Sequence, residues 1–193
     1  MRKTLIIFAR VPQMGRVKTR LARALGNPGG LRVYRALLDR TLAMTADPRW
    51  QTIIAATPSP ASFGADAIAQ GTGDLGARMA RMFRRSTKGP IIIIGTDCPD
   101  ISRSRIARAF AALGKSDCVI GPAEDGGYWL IGMKRTRTTP TLFRNVRWSS
   151  PHTLSDTLAS LPRGLGVALL ETLGDVDEPG DVSRLKKPGR RII

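Results

Sequence analysis

The chain alternates short, unbroken apolar runs with longer stretches in which apolar residues recur at helical spacing. Residues 91–94 are four consecutive isoleucines between Pro90 and Gly95, which is typical of a strand buried on both faces in the middle of a parallel sheet. Other apolar runs predict strands at residues 5–9, 52–56, 117–120, 128–133 and 167–170. Helical spacing predicts helices at residues 21–26, 30–46, 74–83, 102–113 and 148–161, the first with Gly26 as its C′ residue and the last with Ser150 as its N-cap. Residues 58–73, with two prolines and three glycines, predict a loop with a poorly defined short element, and residues 182–193 predict a short helix and a basic tail.

Two carboxylates, Asp97 and Asp100, follow the central predicted strand. Open α/β sheets bind their ligands at the carboxyl ends of the strands. Two carboxylates about 4 Å apart repel each other by roughly 4 kcal/mol at an effective dielectric near 20, and a divalent cation removes that cost. Oxygen ligands suit Mg²⁺ or Mn²⁺. The alternative is that one of the two caps the helix that begins near Ser102.

A second pair of carboxylates, Asp175 and Asp177, follows the last predicted strand. In an extended segment side chains repeat with a period of two, so both would point the same way. The pair could then supply further ligands to a metal ion bound by Asp97.

The segment between the first strand and the first helix contains Gly15, Lys18 and Arg20. A glycine-bearing loop before a helix suits phosphate binding, because backbone N–H groups point at the anion and the two cations neutralise it. The segment matches neither the Walker sequence nor the paired-glycine dinucleotide motif. The alternative is two solvated cations on a surface loop.

Three further features have both a functional and a structural interpretation. In Asp125-Gly126-Gly127, the glycines would let the backbone approach a sugar or nucleotide whose hydroxyls Asp125 binds, although turn chemistry alone explains Asp-Gly. Arg78 could face a phosphate or water. Cys98, beside Asp97, could be a nucleophile or a small filler.

Composition narrows the class of protein. The 193 residues, 42% of them hydrophobic, fit one domain over residues 1–193. A net charge of +16 raises the possibility of an anionic partner, but the arginines are scattered and form no nucleic-acid module, so we do not expect nucleic acid. Two cysteines predict reduced thiols in a cytoplasmic protein. The apolar stretch at the N-terminus is too short for export, and no run reaches the length of a membrane span.

Taken together, these motifs resemble a bacterial group of glycosyltransferase-A-fold proteins, the nucleotide-diphospho-sugar transferase-like family. The likeness covers nearly the whole chain and is carried by residues 15–22, 74–79, 95–100, 121–128, 148–149 and 175–177. Lys-Thr-Arg-Leu at 18–21, followed by Asp39, is also similar to the phospholactate guanylyltransferases. The family usually continues past the last aspartates with Thr-Pro-Glu-Asp, where this chain has Glu-Pro-Gly-Asp at 178–181.

The resemblance implies an α/β, Rossmann-like three-layer sandwich whose mostly parallel sheet has one reversed strand near its edge. It implies that Lys18 and Arg20 hold phosphates, that Asp97 binds the metal, and that Asp175 and Asp177 supply its second ligand. The segment 125–127 would contact the acceptor or sugar. The full set of expected substrate-binding residues is Gly15, Arg78, Asp100, Asp125, Gly126, Gly127 and Trp148.

These features predict a transferase that depends on Mg²⁺ or Mn²⁺ and acts on a nucleotide or nucleotide-sugar donor and a separate acceptor. Nucleotidyl transfer and glycosyl transfer are both compatible with these features, and the 15–20 loop slightly favours nucleotidyl transfer. Lys18, Arg20 and Asp97 would carry the catalysis. The alternative is a non-catalytic nucleotide- or nucleic-acid-binding protein on the same fold.

Overall fold

A computed structural model describes residues 1–86, 88–135 and 142–185. Its strands are β1 (Thr4–Arg10), β2 (Gln51–Thr57), β3 (Ile68–Ala69), β4 (Gly89–Ile94), β5 (Cys118–Pro122), β6 (Tyr128–Arg135) and β7 (Val167–Leu169). Its α-helices are α1 (Thr19–Thr45), α2 (Leu75–Arg85), α3 (Arg103–Ala112) and α4 (Thr153–Ser160). Short 3₁₀ turns span Ala61–Phe63 and Pro179–Leu185.

The described strands form one sheet in the order β3-β2-β1-β4-β6-β5-β7. The pairs β2–β3, β1–β2, β1–β4 and β5–β7 are parallel, whereas β6 is antiparallel to both of its neighbours. The predicted mostly parallel sheet with one reversed strand is therefore confirmed. The reversed strand lies third from the β7 edge, and the isoleucine strand β4 occupies the central position.

The helices cover both faces of the sheet. Alternate residues of β1 and β4 enter two separate apolar clusters, Leu5 and Ile92 on the face of α3, and Ile6 and Ile91 on the face of α2 and α4. The helix α1 packs on the face of α3, over the end of β1. Because β4 is buried on both faces, an unbroken apolar run is what its position requires.

The first helix bends at Gly26, whose φ of +71° interrupts its helical backbone. Gly26 was predicted to end a short helix, and its left-handed φ agrees with that role. A second helical segment continues directly and contains Pro28 near its start. The span Thr19–Thr45 is therefore two helical segments that meet at Gly26, as the sequence predicted.

Two sequence expectations differ from the structure in detail. Residues 58–73 were expected to form a loop with a poorly defined short element, and they contain a 3₁₀ turn and the edge strand β3. The last helix begins at Thr153 rather than after Ser150, because Ser150 forms a turn in which its hydroxyl accepts from the N–H of His152. The basic tail expected at the C-terminus lies outside the described residues.

No helix in the described part of the chain is both long enough and apolar enough to cross a membrane.

Candidate functional site

A cleft of about 680 Å³ opens at the carboxyl ends of β1, β2 and β4. Arg10 ends β1, Thr57 ends β2, and Asp97 follows β4, so each of these strands delivers a residue to the cleft wall. This is the edge at which open α/β sheets bind ligands. The cleft is polar at both ends. Asp97 and Asp177 lie at one end, the acidic end, and Arg10, Arg16 and Arg78 lie at the other, the arginine end, where Asp74 is next to Arg78.

The acidic end is centred on an ammonium group shared by two carboxylates. The Lys18 Nζ atom contacts Oδ1 of Asp97 and lies 2.7 Å from Oδ1 of Asp177. The Lys18 side chain is 5% exposed, whereas the side chains of Asp97 and Asp177 are 50% and 38% exposed. The cation is therefore buried beneath two carboxylates that reach the solvent in the cleft.

The backbone brings the two carboxylates together. The N–H of Val176 donates to the carbonyl of Asp97 over 3.1 Å, which joins the 175–177 segment to the loop after β4. The Val176 side chain is fully buried against Leu21 and Leu37 of α1. With Val176 buried, Asp175 and Asp177 both lie on its other side and are partly exposed.

Asp175 adds to the negative charge at this end. Burial, reinforced by the charges of Asp125 and Asp177, raises the pKa of the Asp175 carboxyl above its usual value, while Lys18 offsets part of this effect. Burial is the main cause of this shift, and the neighbouring carboxylates add to it. The oxygen-rich donor set matches the chemistry of Mg²⁺ or Mn²⁺.

The acidic end is not arranged as a closed metal site. Within residues 1–86, 88–135 and 142–185, no three acidic, histidine or cysteine side chains converge as a group that could hold a metal ion. The ammonium of Lys18 lies between the carboxylates of Asp97 and Asp177. The carboxylate oxygens are therefore suitable ligands for a divalent cation, but the Lys18 ammonium occupies the space between them.

Lys18 reaches this position through its backbone. Its φ of +45° and ψ of 50° lie in the left-handed region, directly before the first turn of α1. Burial lowers the pKa of the Lys18 ammonium, but the charges and hydrogen bonds of Asp97 and Asp177 outweigh burial and raise the pKa above its ordinary value. Lys18 is thus a charged group at neutral pH, and its contacts here are with carboxylates.

Arg20 stands at the mouth of the same end. Its side chain is 66% exposed, and its Nη1 lies 3.5 Å from Oδ2 of Asp177. Both cations expected to hold phosphates are therefore present at the cleft. Their role towards phosphate remains a prediction.

The opposite end of the cleft is lined by Arg10, Arg16 and Arg78. Only Arg78 was a sequence candidate. Arg10, which ends β1, and Arg16, which lies within the predicted phosphate loop, were missed because their convergence depends on how that loop folds back over β1 and β2. A smaller cavity of about 360 Å³ adjoins the cleft here and is lined by the same three arginines.

The other sequence candidates are divided between the cleft wall and its surroundings. Trp148 lines the cleft and stacks at a tilt on Phe143, with ring centroids 5.8 Å apart. Gly15, in the left-handed region with φ +71°, lies in the loop beside the lining residue Arg16, while Asp100 lies outside the lining residues.

The Asp125-Gly126-Gly127 turn has a clear structural role. Oδ1 of Asp125 accepts from the N–H of Gly127 over 2.8 Å, as in an Asx turn. Gly126 has φ +84°, and a Cβ there would lie 2.4 Å from the carbonyl oxygen of Pro151. These residues are outside the cleft lining, but the Asp125 charge reaches Asp175.

Cys98 is buried behind the acidic end. Burial, together with the charges of Asp97 and Asp175, raises the pKa of its thiol far above the usual value. The thiol is therefore protonated at neutral pH, which agrees with a small filler rather than a nucleophile.

Comparison with known structures supports the fold. The structure superposes with a TM-score of 0.88 on a protein from Desulfovibrio desulfuricans G20 that is provisionally described as a nucleotide-diphospho-sugar transferase. The two chains are 28% identical, and the match covers 98% of this chain and 90% of the other.

More distant structures share the fold at low identity. One is 2-C-methyl-D-erythritol 4-phosphate cytidylyltransferase from Thermus thermophilus, with 17% identity, coverage of 96% and 97%, and a TM-score of 0.52. Another is glucosyl-3-phosphoglycerate synthase from Mycobacterium tuberculosis in complex with Mn²⁺, UDP and glucosyl-3-phosphoglycerate, with 12% identity, coverage of 95% and 75%, and a TM-score of 0.54. No curated protein shows significant sequence similarity to the chain.

A family profile matches residues 32–150, which is more than half of the chain. Its members are described as uncharacterized proteins conserved in bacteria. The chain has the nucleotide-diphospho-sugar transferase fold and belongs to this family, DUF2064.

Proposed function

We propose that this protein is a metal-dependent transferase that acts on a nucleotide donor. The observation that carries the proposal is the acidic end of the cleft, where Asp97 and Asp177 meet over the buried Lys18 ammonium at the carboxyl ends of the parallel strands. The D. desulfuricans protein, alike over nearly the whole chain, supports the same class of donor.

Asp97, Asp177 and Asp175 would supply the carboxylate oxygens for the divalent cation, which would require these side chains to move closer together than they are around the Lys18 ammonium. A bound Mg²⁺ or Mn²⁺ would neutralise the diphosphate of a nucleotide and stabilise the charge that develops on the leaving group. Manganese in the M. tuberculosis synthase complex supports the choice of metal.

The chain's own cations would act on the same phosphates. Arg20 is exposed at the mouth, so it can reach a ligand without losing a buried contact. Lys18 is charged and held by Asp97 and Asp177, so its fixed charge would act on a phosphate bound next to these carboxylates. Fixed charges that face a developing negative charge stabilise the transition state without reorganisation.

Two reactions are compatible with this arrangement. In nucleotidyl transfer, an acceptor oxygen bonds to the α-phosphorus as the bond to pyrophosphate breaks. In glycosyl transfer, an acceptor atom bonds to the sugar C1 as the bond to the nucleoside diphosphate breaks. The cytidylyltransferase and the glucosyl transferase among the fold relatives represent one reaction each.

A ligand panel read by thermal unfolding tests the proposal and separates the two reactions. The panel contains the five common nucleoside triphosphates and UDP-, GDP- and ADP-sugars, each with Mg²⁺, with Mn²⁺ or with EDTA. A ligand at 100 times its Kd adds about 2.7 kcal/mol of stability. A metal-dependent shift with one triphosphate indicates nucleotidyl transfer, and one with a sugar nucleotide indicates glycosyl transfer. No shift with any ligand contradicts the proposal.

The net charge of +16 favours one rival, a non-catalytic binder of nucleic acid on the same fold. Nucleic-acid binding driven by this charge would weaken steeply with salt. It would also be unaffected by Asp97→Asn, whereas metal-dependent nucleotide binding would be lost. A salt titration of both ligands on wild type and this variant therefore separates the two functions.

A further inference from the structure

The arginine end of the cleft differs from the acidic end in how its charges are paired. Lys18 and Arg20 have carboxylate partners within 4.0 Å. Within the described residues, Arg10, Arg16 and Arg78 have no such partner. Three cations therefore line one space with no carboxylate of the described residues within 4.0 Å of any of them, although the charge of Asp74 acts on Arg78 from farther away.

Their shared space is the cavity of about 360 Å³, which is continuous with the cleft wall through the three arginines and Thr57. The remaining lining residues are Val11, Gln13 and Pro58, so no acidic residue lines the cavity. Asp74 lines the main cleft, its charge acts on Arg78, and its carboxylate caps α2 by accepting from the N–H of Ala77. The cavity is large enough for a phosphate group and several waters.

Arg78 is held in place by a buried network. Its Nη1 donates to Oε1 of Gln70 over 2.8 Å, and its Nε donates to the carbonyl of Asp74. Gln70 is 2% exposed, and its Nε2 donates to the carbonyls of Ala9 and Ala55, at the ends of β1 and β2. The strands therefore fix the guanidinium through Gln70, whose neutral amide does not neutralise its charge.

Arg10 is fixed through its backbone. The Tyr34 hydroxyl accepts from the N–H of Arg10 over 2.7 Å and donates to its carbonyl over 2.8 Å. Burial and the charges of Arg10 and Arg81 lower the pKa of the Arg78 guanidinium, and the charge of Asp74 offsets part of this effect. Like charges held together in this way attract an anion.

We propose that Arg10, Arg16 and Arg78 form an anion subsite that binds a phosphate or carboxylate group of a substrate, at the end of the cleft opposite the carboxylates. The assignment of this group to a substrate rests on the proposed transferase function. Its source is either a phosphate of the nucleotide donor or an anionic acceptor. Arginine is suited to both, because its planar fork pairs with two oxygens at once.

Binding of inorganic phosphate, measured by calorimetry in EDTA and about 50 mM NaCl, a salt concentration low enough to limit screening, tests the subsite without metal or nucleotide. We expect Arg78→Gln to weaken phosphate binding at least fivefold and the double variant Arg10→Gln/Arg78→Gln more than tenfold. The matched control is Arg84→Gln, an exposed residue of the same helix, which should change affinity less than twofold. Because Arg10 is exposed, Arg10→Gln alone keeps the test valid if the Arg78 variants fold poorly.

Three results would overturn the proposal: wild type that does not bind phosphate, a double variant that binds it unchanged, or a loss caused by Arg20→Gln and not by the double variant. Repeating the titration with saturating nucleotide and Mn²⁺ identifies the source. Phosphate that still binds indicates an anionic acceptor, and phosphate that is displaced indicates the donor. If no nucleotide binds at all but the arginine variants still lose phosphate, the transferase proposal fails and the anion subsite remains.

Discussion

The Lys18 ammonium lies 2.7 Å from Oδ1 of Asp177, although 159 residues separate them along the chain. The same ammonium contacts Asp97 after the central strand. One buried cation therefore ties the loop before α1, the loop after β4 and the C-terminal segment into one site. This contact stabilises the fold and shapes the acidic end of the cleft.

Replacing Lys18 by methionine should destabilise the protein and make its stability respond to metal. The change leaves Asp97 and Asp177 facing each other with only the exposed Arg20 beside Asp177, at a cost of about 1–3 kcal/mol. Both carboxylates are partly exposed, which keeps this below the cost of breaking a fully buried pair. The measurement is urea unfolding in EDTA and again with Mn²⁺.

The matched control for that prediction is Lys115→Met, an exposed lysine far from the cleft. Mn²⁺ should restore stability to Lys18→Met more than it stabilises the control. Equal stability of the two variants in EDTA would show that Lys18 does not neutralise the carboxylates.

Gln70→Met should lower the free energy of unfolding by about 2 kcal/mol or more. The substitution keeps most of the side-chain volume but leaves the carbonyls of Ala9 and Ala55 without the Gln70 amide, and unsatisfied buried groups cost about 1–3 kcal/mol each. It also removes the acceptor that positions Arg78. Chemical denaturation measures the loss, and a change below about 0.5 kcal/mol, the usual range of surface substitutions, would contradict the network.

Gly126→Ala should be far more damaging than Gly164→Ala. Both glycines have φ near +80°, so both substitutions carry the same conformational strain. At Gly126 a Cβ would also lie 2.4 Å from the Pro151 carbonyl oxygen, whereas nothing lies within 4 Å at Gly164. The difference between the two melting temperatures therefore measures the steric term alone, and similar temperatures would argue against the close approach to Pro151.

The Arg147–Asp156 pair should make stability depend on acid pH. Oδ2 and Oδ1 of Asp156 accept from Nε and Nη2 of Arg147 over 2.8 and 2.9 Å, and these bonds hold the pKa of the Asp156 carboxyl below its usual 3.8. A depressed folded-state pKa gives stability that is present above the unfolded value and is lost as pH falls through the folded value. Wild type should therefore exceed Asp156→Asn in stability at about pH 6, with the gap closing below pH 3.8. A gap that is constant with pH would be inconsistent with this pairing.

Sequence patterns predicted the sheet better than they predicted the site. The isoleucine run of β4 located the sheet centre, since a strand with two buried faces needs apolar residues at every position. The two-residue strand β3 was not predicted, because its residues are exposed and their pairing with β2 depends on the fold.

At the site, local spacing predicted which residues matter but not their partners. Asp175 and Asp177 were expected on one side of their segment, and the burial of Val176 between them agrees. Lys18 was expected to face a phosphate, and its bond to Asp177 across the fold has no signal in local sequence. Arg10 and Arg16 were missed for the same reason, since a shared cavity is a property of the folded chain.

The most direct test of the transferase proposal is equilibrium binding of the nucleotide selected by the ligand panel, to wild type, Asp97→Asn and Asp66→Asn, with Mn²⁺ and with EDTA. Asp66 is an exposed loop aspartate outside the cleft, so it controls for the loss of one negative charge. The account predicts Mn²⁺-dependent binding in wild type and Asp66→Asn, and at least a tenfold loss in Asp97→Asn. Binding that is independent of Mn²⁺, or unchanged in Asp97→Asn, would contradict it.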